Sequence, residues 1–150
     1  MSIISIKDLV KHEDDVLRKY PMLRLLRDIV SKYPDVTVTP CNHWYKTKNG
    51  LDVLSGYHVN FGTYTLSVQF GFGNYRTGYN SEKLEKRNLT QDHYLKNTID
   101  AEIAIINNST PYEPLVNIPE WGDTVLGYQT TEQIMDFIDT WIAPKLGSGE

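Results

Sequence analysis

The chain has 150 residues, 40% of them hydrophobic, a formal charge of −4 and a sequence pI of about 5.5. That length fits one globular domain with a sizeable core, and the acidic balance argues against bulk nucleic-acid binding, which shows itself as a basic surface. A single cysteine, Cys41, excludes an intramolecular disulfide and any cysteine-based zinc cluster; no stretch reaches the roughly 20 apolar residues of a membrane span.

The N-terminal third reads as helical. Ser5 can cap a helix whose apolar positions Ile6, Leu9, Val10, Leu17 and Tyr20 follow helical spacing, until Pro21 interrupts it. Met22, Leu25, Leu26, Ile29 and Tyr33 continue the period, so that two helices, or one kinked helix, cover residues 5–33, and Pro34-Asp35 ends them. Proline suits a first helical turn because its missing N–H had no partner there. Residues 36–39 alternate as a short strand limited by Pro40, and residues 43–46 form another edge segment before the turn signal Asn49-Gly50.

A hairpin over residues 56–70 is the clearest element. Tyr57, Val59 and Phe61 alternate with His58 and Asn60; Tyr64, Leu66, Val68 and Phe70 alternate with Thr65, Ser67 and Gln69. Gly62-Thr63 between them is the chemistry of a two-residue turn with glycine first. The implied register pairs Phe61 with Tyr64, Val59 with Leu66 and Tyr57 with Val68. One face is then apolar, and the other carries His58, Asn60, Thr65, Ser67 and Gln69 with no formal charge.

Gly71-Phe72-Gly73-Asn74-Tyr75-Arg76-Thr77-Gly78-Tyr79 follows as an aromatic, glycine-rich loop, and residues 81–97 are polar and charge-rich. Ile99, Ala101, Ile103 and Ile105 restore strand alternation, with Asp100 and Glu102 expected to face outward. Residues 107–123 contain three prolines and read as a long ordered loop pinned by Tyr112, Leu115 and Trp121, and residues 123–128 as a turn or short strand. Thr130 with Gln133 forms a capping box for a final helix with the stripe Ile134, Phe137, Ile138, Trp141 and Ile142, and Pro144 follows its end. The expected fold is α+β: an antiparallel sheet of four to five strands around the 56–70 hairpin, packed with N-terminal helices and a C-terminal helix. Residues 1–146 make the single domain, and 147–150 a flexible tail or cloning scar. The segment from Ala101 onward holds eight acidic residues and one basic residue, Lys145, so one end of the molecule is expected to be electronegative.

Nine of the 17 aromatic residues fall between Trp44 and Tyr79. They can be an aromatic-rich core, or a recognition surface in which Trp44, Tyr45, Phe72, Tyr75 and Tyr79 stack on a partner while Arg76 meets an anion, with Asn74 in the same loop and His58, Asn60 and Ser67 on the hairpin face. Gly71-Phe72-Gly73 lacks the Lys-Ser or Lys-Thr of a phosphate loop, and lacks the basic start of an RNA-recognition strand. Cys41, His43, Asp52 and His58 include the residue types of a thiol nucleophile, its base and an orienting carboxylate. Their spacing matches no nucleophile motif, so Cys41 reads as a small core cysteine and the histidines as surface residues. His43, His58 and His93 show no metal-ligand spacing. No cofactor is expected.

Leu66-Ser67-Val68, Gly73-Asn74-Tyr75, Ala101-Glu102-Ile103-Ala104-Ile105, and Asp123-Thr124-Val125-Leu126-Gly127 before a capped helix together resemble small uncharacterised accessory proteins of tailed bacteriophages. The resemblance covers about half the chain and offers no catalytic residues. It implies origin: a small cytoplasmic accessory protein of a phage or mobile element. Taken with the compact domain, the lack of a catalytic constellation, the charge-free hairpin face and the aromatic glycine loop, it leads to the expectation of a non-enzymatic protein that binds a host protein, as an inhibitor of antiviral defence. The alternatives are a nucleotide-binding sponge, for which a homo-oligomer with a pocket at its interface is the expected form, and a small hydrolase using Cys41 or a histidine.

Overall fold

A computed structural model describes residues 18–46, 52–70, 96, 98–110, 112 and 114–146, with backbone alone over 42–46 and 52–54. The helix expected from Ser5, the Asn49-Gly50 turn and the aromatic loop lie outside the described residues. Helix α1 (Pro21–Lys32) begins with its proline in the first turn and buries Met22, Leu25, Leu26 and Ile29. Five strands follow, β1 (Thr37–Lys46), β2 (Asp52–Asn60), β3 (Tyr64–Gln69), β4 (Asp100–Asn107) and β5 (Val125–Thr130), each antiparallel to the next in the order β1-β2-β3-β4-β5. Helix α2 (Thr131–Phe137) closes the described chain, running on through a π turn, Ile138–Ile142, into α3 (Ala143–Leu146).

The hairpin has the expected register. Tyr57 pairs with Val68, Val59 with Leu66, and the Phe61 N–H donates to Tyr64 O at 2.8 Å. Gly62 has φ 112°, a region that side chains rarely adopt, so the turn depends on glycine there. Tyr57, Val59, Leu66, Val68 and Phe70 thus share one face with Ala101, Ile103 and Ile105. The two helices cover that face with Met22, Leu25, Leu26, Ile29, Ile134, Ile138 and Ile142. The buried Tyr57 hydroxyl donates to Met22 O at 2.8 Å, which satisfies it and seats α1 on β2. On the C-terminal helix, the Trp141 ring packs edge-on to Tyr64 (5.2 Å between centroids) and stacks on Phe137 (5.5 Å).

Four local expectations are corrected. Strand β1 runs unbroken through Pro40, because among the described strands it lies at the edge, where a missing N–H removes little from the ladder; its irregularity appears instead as register shifts after Cys41 and His43. Asp100 is buried, at 5% exposure, while Ile99 is exposed, because β4 is irregular where β5 shifts register beside Ala101. The loop before β5 is pinned by buried Ile118 and by Trp121 against Phe137, whereas Tyr112 is 96% exposed and Leu115 also lies at the surface; Leu115 is held through its backbone bridge to Ile106. The C-terminal helix continues past Pro144. The π turn, in which Ala143 N–H reaches back to Ile138 O, widens the helix before the proline, and Lys145 Nζ donates to Trp141 O at 3.3 Å.

The capping box is present in both directions. Gln133 N–H donates to Thr130 Oγ1 at 3.3 Å, and Thr130 N–H to Gln133 Oε1 at 2.9 Å. The helices are also clamped to each other: the Tyr33 hydroxyl donates to Asp139, which takes an ion pair from Lys32 Nζ at 2.8 Å. Burial first, then the carboxylate, pushes the Tyr33 hydroxyl up to about 12, and Lys32 holds the Asp139 carboxyl below its ordinary range.

Candidate functional site

Since the helices occupy the apolar face, the opposite face of the sheet belongs to the polar set. Register fixes which side chains meet there. Cys41 lies opposite Gly56, Gly56 opposite Gln69, and Gln69 opposite Glu102; the adjacent row is Thr39, His58, Ser67 and Ala104. Cys41 and His58 are therefore diagonal neighbours on one face, a separation that long side chains bridge. The row shares a central gap.

That gap is Gly56. A Cβ at this position would stand 2.3 Å from Val68 O and 2.8 Å from Gln69 Oε1, so no larger residue fits without moving backbone. Into the space goes the Gln69 carboxamide, whose Nε2 donates to Cys41 Sγ at 3.6 Å and to Ser67 Oγ at 3.1 Å. Ser55, on the core side, donates its hydroxyl to Cys41 O at 3.2 Å. This bond ties β1 to β2 at the residue where the register shifts, and such bulges re-aim the side chains beside them.

The thiol and the imidazole lie on one face as diagonal neighbours, and both are half-buried. His58, assisted by Gln69, holds the Cys41 thiol below its ordinary range against the opposing effect of burial. The thiol in turn raises the His58 imidazole. Each partner favours the charged form of the other.

The residues expected from sequence divide three ways. His58 and Ser67 belong to this cluster, but Ser67 is only 7% exposed and accepts from the Gln69 amide. Asn60 is exposed yet occupied by the turn: its Oδ1 accepts from Gly62 N–H at 2.8 Å and from Asn108 Nδ2 at 3.2 Å, while Asn108 Nδ2 also donates to Gly62 O and Asn108 Oδ1 accepts from Thr65 Oγ1. Trp44 and Tyr45 sit on the edge strand, inside the register shift between His43 and Lys46. Phe72, Asn74, Tyr75, Arg76 and Tyr79 lie outside the described residues.

Sequence reasoning missed the association of Cys41 with His58 and the part played by Gln69. One signal was available: an isolated glycine in an alternating strand marks a close approach, and Gly56 is that glycine. Among the described residues, no group of three His, Cys, Asp or Glu side chains could hold a metal ion. A groove of about 580 Å³ lies between α1 and α2, lined by Arg18, Arg24, Asp28, Glu132 and Asp136 among others, and one of about 660 Å³ lies beside Tyr33, Val36 and Gly62. Neither is lined by Cys41, His58 or Gln69. No helix among the described residues is long and apolar enough to cross a membrane. Comparisons with protein-family models, with curated proteins and with solved structures found no match.

Proposed function

We propose that this is a small non-enzymatic binding protein that engages a host factor along the outer edge of its sheet, as an inhibitor of antiviral defence encoded by a phage. The observation that carries the reading is the position of β1. It is a ten-residue strand at the end of the sheet with no further strand beside it among the described residues, and Trp44 and Tyr45 lie in its irregular half. An unpaired strand edge offers a row of backbone donors and acceptors to an extended partner segment, and aromatic residues are the usual anchors of such contacts. The phage origin rests on the sequence resemblance alone.

The α1–α2 groove does not favour the nucleotide-sponge reading, because the carboxylates of Asp28, Glu132, Asp136 and Asp139 outnumber the guanidiniums of Arg18 and Arg24 there. It rests on Arg76 and the aromatic loop. Native mass spectrometry of the purified protein, with absorbance of any released fraction, separates the two: an empty particle supports the macromolecular partner, and a bound ultraviolet-absorbing ligand supports the sponge. Affinity capture from bacterial lysate with wild-type protein and with Trp44→Ala/Tyr45→Ala then tests the edge. Loss of a captured band in the variant is expected, and an unchanged band removes β1 as the contact.

A further inference from the structure

We propose that Pro40 guards the free edge of β1 against pairing with a second copy of this chain, and so keeps the sheet from continuing across two molecules. The composition of the strand calls for such a guard. No Asp, Glu, Lys or Arg lies from Val36 to Tyr45, and Val36, Thr37, Val38 and Thr39 are β-branched, the pattern that pairs readily with its own copies. Thr37, Thr39 and Pro40 are exposed, and no described strand lies beyond β1. Proteins keep edges of this kind apart with proline, bulges or charge.

The ladders fix which way each backbone points. In an antiparallel strand a residue aims its N–H and C=O to the same side, and successive residues alternate. Phe61 N–H donates to Tyr64 O and Phe70 N–H donates to Ser55 O, so Ser55, Tyr57, Val59 and Phe61 turn toward β3. Gly56, His58 and Asn60 therefore turn toward β1, where their partners are Cys41, Thr39 and Thr37. Val38 and Pro40 are left aiming away from β2. The Ser55 hydroxyl bond to Cys41 O agrees, since it finds that carbonyl on the β2 side. Pro40 thus stands where its missing N–H takes nothing from the β1–β2 ladder and removes a donor from the free edge.

Every two-fold pairing of β1 with a second β1 meets this gap. With Val38 opposite Pro40 of the second copy, Val38 N–H reaches the proline carbonyl, but the return bond to Val38 O has no donor, and symmetry repeats the loss. With Val38 opposite Val38, Pro40 falls opposite Val36, outside the strand, and only the Val38 pair bonds. With Pro40 opposite Pro40, neither carbonyl is reached. A carbonyl taken from water and given no donor disfavours the contact. The register shifts after Cys41 and His43 then turn the rest of the strand out of line with a flat partner. Trp44 and Tyr45 lie beyond the first shift, outside the guarded half, so the inference goes beyond the host-factor reading and does not rest on it.

The test compares the full chain as wild type and as Pro40→Val, which returns the N–H in a residue suited to strands, by sedimentation equilibrium over a range of concentrations. Pro40→Val is expected to self-associate at a concentration about tenfold or more below that of wild type, the worth of one net hydrogen bond, while its urea transition stays cooperative. Amide exchange on the associated variant is expected to show the Val38 N–H newly protected. Equal association of the two proteins, or association that leaves the Val38 amide of the variant unprotected, overturns the proposal. If Pro40→Val does not fold, amide exchange in wild type decides: the Thr39 and Cys41 amides are expected to be protected and the Val38 amide to exchange about tenfold faster, whereas protection of Val38 equal to theirs overturns the proposal.

Discussion

Gln69 reaches Cys41 across the outer face of the sheet, its Nε2 donating to Cys41 Sγ at 3.6 Å, because Gly56, which pairs with both, contributes no side chain to separate them. The vacancy is therefore as much a part of the site as the groups around it. Gly56→Ala places a methyl 2.3 Å from a backbone carbonyl that cannot retreat without moving β3. We expect a loss of about 1 to 3 kcal/mol in urea unfolding, with unchanged m-value, and a Cys41 alkylation rate that falls as the Gln69 amide is displaced.

Asn60 is a turn residue. Asn60→Ala removes the acceptor for Gly62 N–H and Asn108 Nδ2 and should cost about 1 to 2 kcal/mol in denaturant unfolding. Partner capture and Cys41 alkylation should be unchanged when measured well below the melting temperature. An equal effect on capture with no loss of stability would return Asn60 to the contact surface.

The Tyr57 hydroxyl is buried and spent on one acceptor, Met22 O. Tyr57→Phe leaves the ring and its edge contact with Phe70 in place while leaving that carbonyl short of a donor. A loss of about 1 to 2 kcal/mol is expected, read from the urea midpoint.

Stability should depend on pH at both extremes through Tyr33 and Asp139. The depressed Asp139 carboxyl contributes stability that is present above its unfolded value of 3.8 and lost as pH falls through the lower folded value. The Tyr33 hydroxyl, raised from 10.0 to about 12, contributes stability present below pH 10 and lost as pH rises through 12. Asp139→Asn should flatten the stability curve below about pH 4 and also reduce its fall between 10 and 12. The acid effect will be small, because Lys32 is half exposed and the pair is screened. Unfolding midpoints across the pH range, wild type against variant, measure both.

Local chemistry made the hairpin and the helix starts legible. Gly62-Thr63 with flanking alternation sets the β2–β3 register, Thr130 with Gln133 caps α2, and Pro21 opens α1. The site was less legible because it depends on a longer-range match. Pairing Cys41 with Gly56 requires the β1–β2 register, which two shifts in β1 alter, and strand alternation alone does not predict bulges. Pro40 suggested a break where an edge strand tolerates proline, and Pro144 a helix end where a π turn carries the chain onward. Asp100 looked solvent-facing by alternation, and the irregular β4–β5 pairing reversed that.

The site rests on Cys41 and His58 being neighbours across β1 and β2. The most direct measurement is an NMR titration of the His58 ring in wild type and in Cys41→Ser. The account predicts a wild-type midpoint above the ordinary histidine value of about 6.5 that moves down when the thiol is removed. Superimposable titration curves in the two proteins would contradict it.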